Sequence, residues 1–511
     1  MEKQDVYSKK WWKDQLSVKQ EINAWIKGAM YRQGDKSWKG QHDEGNFTCA
    51  WGDFYRLTGD STIKEFLKNL RDIFRDWLKK NQYHGFQPKA RDHASHSFEN
   101  FEDFVTKIWE MDPADQKTVS ILEDVGHHVG NWAEEVPDWY DWDEDRFLSY
   151  FLGTKEVKDY PPYNFEKCSH CRIGSFLLTV YKATGRERYL DWCKRYADKW
   201  TEIIFNSRNK IPMYLYPEDL SEQKAKELYN FHKEDAGEPF QGDMWALITN
   251  RSLVKYLLDL YEITKEKKHL EAVDKALTLY KGVLSSDRIT NTYLRYQEVT
   301  GSNKFQKQLK EWYEKKIKPV LNKNINIPNS LVVTDCDYPE FAYRDDADNF
   351  DFYDGPEVPD LVKGYKISKN LDILQLAMKI AQKRLSLGNY IIRDGWEHGC
   401  NTRRFLHGKG NDAAQTLYTG TGVGKIHYFK YDETPGLPEE VAVLCRENNE
   451  SYNLYFYNQD QKGKKMKVVI RKEGFHNKSI IKKGKLEEKL VKKAQMVELK
   501  PGEITEIKIN K

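Results

Sequence analysis

The sequence predicts a mainly α-helical protein, an (α/α) toroid of about six helical hairpins, carrying a small antiparallel β-domain at its C-terminal end. Three observations predict it. Apolar residues recur at i, i+3, i+4 and i+7 through most of residues 1–430, as in "SFLLTVYKATGRERYLDWCKRYADKWTEII". One phrase, an aromatic residue shortly before a turn and then a new amphipathic run, returns along the chain. From about Pro438 the pattern changes to the alternation of strands.

The copies of the phrase start at Tyr55 ("YRLTGDSTIKEFLKNL"), Trp109 ("WEMDPADQKTVSILED"), Tyr181 ("YKATGRERYLDWCKRY"), Tyr261 ("YEITKEKKHLEAVDKA"), Tyr296 ("YQEVTGSNKFQKQLKE", with one extra residue) and Tyr365 ("YKISKNLDILQLAMKI"). Each reads as helix, short turn, helix. The Thr, Ser or Asp after the aromatic suits a capping position, and Gly supplies positive φ. Single hairpins cannot bury their apolar faces, so they must stack. Their irregular spacing differs from the fixed period of a solenoid and favours closure into a ring with variable loops on one rim. The ring is expected over residues 1–435 and the β-domain over 436–511. The expected strands are "EVAVLCRE", "SYNLYFYNQD", "KMKVVIRKE", "AQMVELK" and "EITEIKINK". The lysines among them read as a solvated outer face that protects sheet edges.

Composition excludes several classes. With 82 basic and 79 acidic residues the net charge is +3, too weak a field to argue for nucleic acid or a membrane surface. No segment approaches the ~20 apolar residues of a membrane span. The N-terminus "MEKQDVYSKKWWKDQ" lacks the apolar run of a secretory signal, which leads to the expectation of a cytoplasmic chain, or an exported one already stripped of its signal. Seven cysteines without a framework rhythm read as reduced thiols, and "CSHC" at Cys168 to Cys171 lacks the second ligand pair of a structural zinc site. No Walker A loop, dinucleotide-binding glycine motif or G-x-S-x-G elbow appears. Aromatic residues make up 14% of the chain, which makes a ring-bearing ligand such as a carbohydrate plausible beside the ordinary use of aromatics as core filler.

The phrase "LLTVYKATGRERYLDWCKRYADKW", repeated along the helical region and followed by a β-domain, resembles the (α/α)-barrel carbohydrate-active enzymes, in particular the toroid polysaccharide lyases that cleave uronic-acid polymers. Glycoside hydrolases and sugar epimerases share that fold marker. The order "HASHSFENFEDFVTKIWEMDP", "GHHVGNW", "CSHCRIGSFLLTVYKATG" is similar in layout to the pectate-lyase group. The resemblance implies a uronate-containing glycan as substrate.

The long connections between hairpins concentrate the chemistry, as a cleft built from loops on a rigid scaffold requires. In "HGFQPKARDHASHSFENFEDF", His93, His96 and Glu99 are three apart, so on a helical turn they share a face and could bind a divalent metal, the one cofactor these residues would admit. In "EDVGHHVGNWAEEVPDWYDWDEDRF", His127 or His128 with Asn131 could move a proton and bind a carboxylate, while Trp132, Trp139 and Trp142 could stack on sugar faces. In "KCSHCRIGSF", His170 and Arg172 begin a hairpin, and the planar fork of Arg is the natural partner of a carboxylate. Further candidates are Asp243, Trp245, Tyr343, Arg344, Trp396 and Arg403.

The leading expectation is β-elimination. Arg172 or Asn131 neutralises the uronate carboxylate, His128 or His170 removes the C5 proton, and Tyr343 protonates the leaving oxygen. The alternatives are a glycoside hydrolase using Asp243 with Asp345 or Asp346, and a non-catalytic glycan-binding protein held to sugar by tryptophan stacking. Each has an oligo- or polysaccharide as its partner.

Overall fold

The computed structural model describes residues 9–33, 45, 47–90, 98–231, 243–279, 286–321, 355–391, 401–448, 450–460, 462–472 and 495–510. The expected order of helix, short turn and helix is present at each copy of the phrase: Trp51–Thr58 is followed by Ser61–Asn81, Thr106–Met111 by Gln116–Gly126, Cys171–Thr184 by Glu187–Asn206, Asp243–Thr264 by Lys267–Leu279, Ser286–Thr300 by Gln306–Lys316, and Val358–Ser368 by Leu371–Ile391.

Five of these six turns share one chemistry; in the Trp109 copy the helix ends instead at Asp112, with φ −141. The residue closing the first helix adopts a left-handed conformation, at Gly59 (φ 70), Gly185 (φ 68), Gly301 (φ 68), Lys265 (φ 60) and Lys369 (φ 58). At four of these turns its N–H donates to the carbonyl of the repeated tyrosine: Gly59 to Tyr55, Gly185 to Tyr181, Lys265 to Tyr261 and Lys369 to Tyr365. At Gly301 the acceptor is Gln297, one residue on, as the extra residue in that copy requires. The preceding hydroxyl residue works in both directions. Thr184 donates its Oγ1–H to Val180 O at 2.8 Å and accepts from Arg186 N–H at 3.3 Å, and Thr58, Thr264, Thr300 and Ser368 repeat the pattern. The phrase is thus a helix stop and restart written in local hydrogen bonds.

The chain divides into two compact units. One comprises residues 1–36, 46–69 and 303–511. It contains the helices Lys9–Gln33, Val358–Ser368, Leu371–Ile391 and Asn401–Thr421 together with the strands of the C-terminal region. Trp11, Trp12, Trp25 and Trp51 are fully buried in it. Six strands run in chain order, β1 at Ile426–Lys430, β2 at Val441–Glu447, β3 at Ser451–Asn458, β4 at Met466–Lys472, β5 at Gln495–Leu499 and β6 at Ile504–Asn510, and form two three-stranded antiparallel sheets ordered β6-β3-β2 and β1-β4-β5. Strand β1 precedes the expected onset at 436. The sheet that holds Val441–Glu447 is also tied to helix Lys9–Gln33: the Gln15 side-chain amide donates to Val443 O at 2.7 Å and accepts from Val443 N–H at 2.9 Å.

The second unit comprises residues 37–45 and 70–302. Its core is aromatic, with Trp139, Tyr140, Tyr189, Trp192, Tyr196, Trp200 and Tyr256 almost wholly buried. A Cβ at Gly174 would stand 2.5 Å from the Tyr256 ring, so glycine there lets helix Cys171–Thr184 lie tight against Asp243–Thr264.

Candidate active site

The site forms where a wide π-turn, Phe101–Val105, runs directly into helix Thr106–Met111. Phe101, Phe104 and Val105 turn into the core, where Phe101 packs on Phe74, Phe86 and Phe176. That leaves Glu99, Glu102 and Asp103 at the half-buried margin. A π-turn widens the helix by one residue, and such bulges recur at functional sites.

Arg172, in the first turn of helix Cys171–Thr184, reaches across to this segment. Its Nε and Nη2 donate to Glu102 Oε2 at 3.0 and 2.6 Å, and its Nη1 donates to Glu99 Oε1 at 3.1 Å. The three side chains remain 26%, 22% and 24% exposed, so solvent reaches the cluster. Burial alone would disfavour the guanidinium charge; Glu102 and Glu99 outweigh it and hold the Arg172 pKa above its ordinary value. Asp103 behaves oppositely. Burial, then the charges of Glu102 and Glu99, push its carboxyl up to about 6 against the pull of Arg172 and Lys107. One turn beyond Arg172, Ser175 Oγ is buried with no hydrogen-bond partner among the described residues.

Behind this cluster runs a ladder of ion pairs on the neighbouring helices. Lys255 meets Asp259 at 2.7 Å, and Arg295 meets Asp259 at 3.3 Å and Glu262 at 2.7 Å. The arrangement can hold a proton on one carboxyl, Asp103, beside a carboxylate fixed by a guanidinium, which is the division of labour that acid–base chemistry needs.

The histidine-rich loop has a different part. His128 is fully buried, and neither ring nitrogen has a hydrogen-bond partner among the described residues. It lies edge-on to His84 at 4.5 Å, with Phe86 at 6.0 Å and Trp139 at 6.1 Å. Burial, then the His84 and His127 charges, depress its pKa to about 3, so it is a poor proton acceptor. His170 is also buried; its Nδ1 accepts from Lys167 N–H at 3.2 Å and its ring stacks on Phe147 at 5.0 Å. Both histidines expected to act as bases are placed in the core.

Asn131 braces the loop, which explains its φ of 60. Its Oδ1 accepts from the N–H groups of Trp139 and Tyr140 at 2.8 and 3.0 Å, and its Nδ2 donates to Tyr140 O at 2.5 Å. Trp139, expected to stack on sugar, is instead core, with Nε1 donating to Gly153 O at 3.1 Å. Trp132 is wedged between Gly130, where a Cβ would stand 2.5 Å from the ring, and Arg188, 5.4 Å over it. Arg195 lies 5.4 Å over Trp142, whose ring also meets Tyr140 at 5.3 Å. The loop that looked most like a sugar platform has folded its rings onto its own chain.

His93, His96, Tyr343, Arg344, Asp345, Asp346 and Trp396 lie outside the described residues, as do the side chains of Asp243, Trp245 and Arg403. Of the expected metal set only Glu99 is described, and Arg172 engages it. Among the described residues no group of three or more His, Cys, Asp or Glu side chains is placed to hold a metal ion. Among the described cysteines, Cys168, Cys171, Cys193 and Cys445 are buried and Cys49 is half-buried. No helix among the described residues is long and apolar enough to cross a membrane.

Sequence reasoning missed Asp103, Lys255, Asp259 and Arg295. Asp103 stands four residues after Glu99 and next to Glu102, and that helical spacing was a signal for a shared acidic face. It also missed Glu166, a fully buried acid pushed up to about 7 by burial, against donors at Tyr196 Oη, Phe147 N–H (2.7 Å) and Trp200 Nε1 (3.2 Å). Those bonds tie its strand to the aromatic core.

No protein-family profile and no curated protein matches the chain. Among solved structures it is similar to a crystal structure of an unsaturated glucuronyl hydrolase specific for heparin, at 10% identity and a TM-score of 0.40 over 57% of this chain and 81% of that one.

Proposed function

We propose that the protein is a carbohydrate-active enzyme that cleaves a uronate-bearing glycan, and that it does so by hydrolysis. The observation that carries the reading is Asp103, a carboxyl that keeps its proton up to about pH 6 beside carboxylates bridged by one arginine. In this reading Asp103 protonates the leaving glycosidic oxygen, and Glu102, held by Arg172, orients water or stabilises the developing positive charge. Arg172 supplies the contact for the sugar's carboxylate, and the buried Ser175 hydroxyl is a ready partner for a ligand. The glycan itself rests on the resemblance of the hairpin phrase and on the aromatic richness of the chain.

β-Elimination, the leading expectation from sequence, has less support. It needs an accessible base, and His128 and His170 are both buried. The test is product analysis on acidic and neutral oligosaccharides. New reducing ends without an unsaturated uronate chromophore support hydrolysis. The chromophore appearing with the reducing ends restores the lyase reading, and binding without either product leaves a glycan-binding protein.

A further inference from the structure

Helices Cys171–Thr184 and Asp243–Thr264 touch where Gly174 meets the Tyr256 ring. They run in the same direction: Lys255 is within electrostatic reach of Glu102, the partner of Arg172, while Asp259, one turn further on, is within reach of Lys182 near the end of Cys171–Thr184. On two parallel helices of about 3.6 residues per turn, the residue after one contact point and the residue before the other emerge on the same side. Those residues are Ser175 and Lys255. Ser175 is 7% exposed, and its Oγ is buried without a hydrogen-bond partner among the described residues. A buried hydroxyl left unpaired costs free energy that a ligand bond would recover.

Lys255 is the open counterpart. Its side chain is 58% exposed, and it donates to Asp259 at 2.7 Å, a bond that needs only one N–H of the ammonium. Arg295 also holds Asp259, at 3.3 Å, so that carboxylate keeps a cation when Lys255 turns toward a ligand. An ion pair so open to solvent is weak, and sharing its ammonium costs little. Arg295 differs, because Asp259, Glu262 and Glu298 surround its guanidinium at 3.3, 2.7 and 3.7 Å and fix it to the scaffold.

We propose that Lys255 and Ser175 form a second anion-binding point beside Arg172, which takes the carboxylate of the sugar next to the one that Arg172 binds. The inference deepens the acidic-glycan reading above and rests on it: the substrate class becomes a glycan with carboxylates on adjacent residues. The Ser175 hydroxyl donates to the second carboxylate from the helix wall, and the Lys255 ammonium closes on it from the open side. A glycan with a single uronate fills Arg172 alone. Lys255 and Ser175 thus determine specificity without taking part in bond cleavage.

The experiment is calorimetric titration of the full chain with trigalacturonate and with a trisaccharide of the same length that carries one galacturonate. The proteins are the parent, Lys255→Met, Lys255→Arg and Ser175→Ala. Lys255→Met should weaken trigalacturonate binding about tenfold and leave the single-uronate ligand unaffected, whereas Lys255→Arg, which keeps the charge, should bind both as the parent does. Ser175→Ala should weaken trigalacturonate binding about fivefold. The two positions lie on different helices, so either variant serves if the other does not fold. Parent-level trigalacturonate binding by folded Lys255→Met or Ser175→Ala, or an equal loss on both ligands, overturns the second point while leaving the acidic-glycan reading intact. If the parent binds neither ligand, the acidic-glycan reading fails and the second point fails with it.

Discussion

Replacing Asp103 by Asn removes a titratable proton with almost no change in volume, so it isolates the chemistry from the packing. As general acid, Asp103 must be protonated, and its pKa of about 6 means activity should fall as pH rises through that value. Asp103→Asn should lower kcat by roughly 10²–10⁴-fold with little change in KM, and steady-state kinetics across pH measures both. His128 makes an opposite, structural prediction. Its pKa in the folded chain is about 3, whereas an unfolded imidazole titrates at about 6.5. Between those values the unfolded chain binds a proton that the folded chain does not, so the stability conferred by neutral His128 is full above about pH 6.5 and is lost as pH falls toward about 3. Denaturant unfolding should show a His128 contribution smaller by about 2 kcal/mol at pH 5 than at pH 7, a difference absent from His128→Leu. An equal pH dependence in both proteins would contradict the burial argument.

At the scale of single elements, the hairpin turn is the unit that can be tested by substitution. Lys265 and Lys369 occupy the left-handed position that Gly59, Gly185 and Gly301 fill in the other copies. A left-handed non-glycine residue costs about 1–2 kcal/mol, partly offset by the greater entropy of glycine in the unfolded chain. Lys265→Gly should therefore stabilise by about 0.5–1 kcal/mol, and Gly185→Ala should destabilise by about 1 kcal/mol, as read by urea midpoints. Thr184→Val should cost about 1 kcal/mol because it removes the hydroxyl that bonds to Val180 O and Arg186 N–H. These turns were legible in the sequence because their determinants, an aromatic, a hydroxyl and a glycine, lie within a few residues of one another. Strand β1, Ile426–Lys430, was not legible: it is five residues long and begins soon after helix Asn401–Thr421 ends, with too little alternation to declare itself.

At the scale of the whole chain, the mainly helical class and its C-terminal antiparallel sheets follow from patterning that a reader of the sequence can see. The site follows from contacts that a reader cannot. Arg172 and Glu99 were each marked as candidates on their own segments, but their meeting spans about seventy residues, and no local pattern encodes it. The histidine and tryptophan loop was over-read for the complementary reason: a sugar platform and a self-packed aromatic core have the same composition, and only burial separates them. In the proposed mechanism, proton transfer by Asp103 cleaves an acidic glycan by hydrolysis. The decisive measurement is the product spectrum of the parent protein and Asp103→Asn on an oligogalacturonate, recording reducing ends and the unsaturated uronate chromophore together. Reducing ends without chromophore are expected from the parent and neither from the variant; a chromophore from the parent, or undiminished reducing ends from Asp103→Asn, overturns the mechanism.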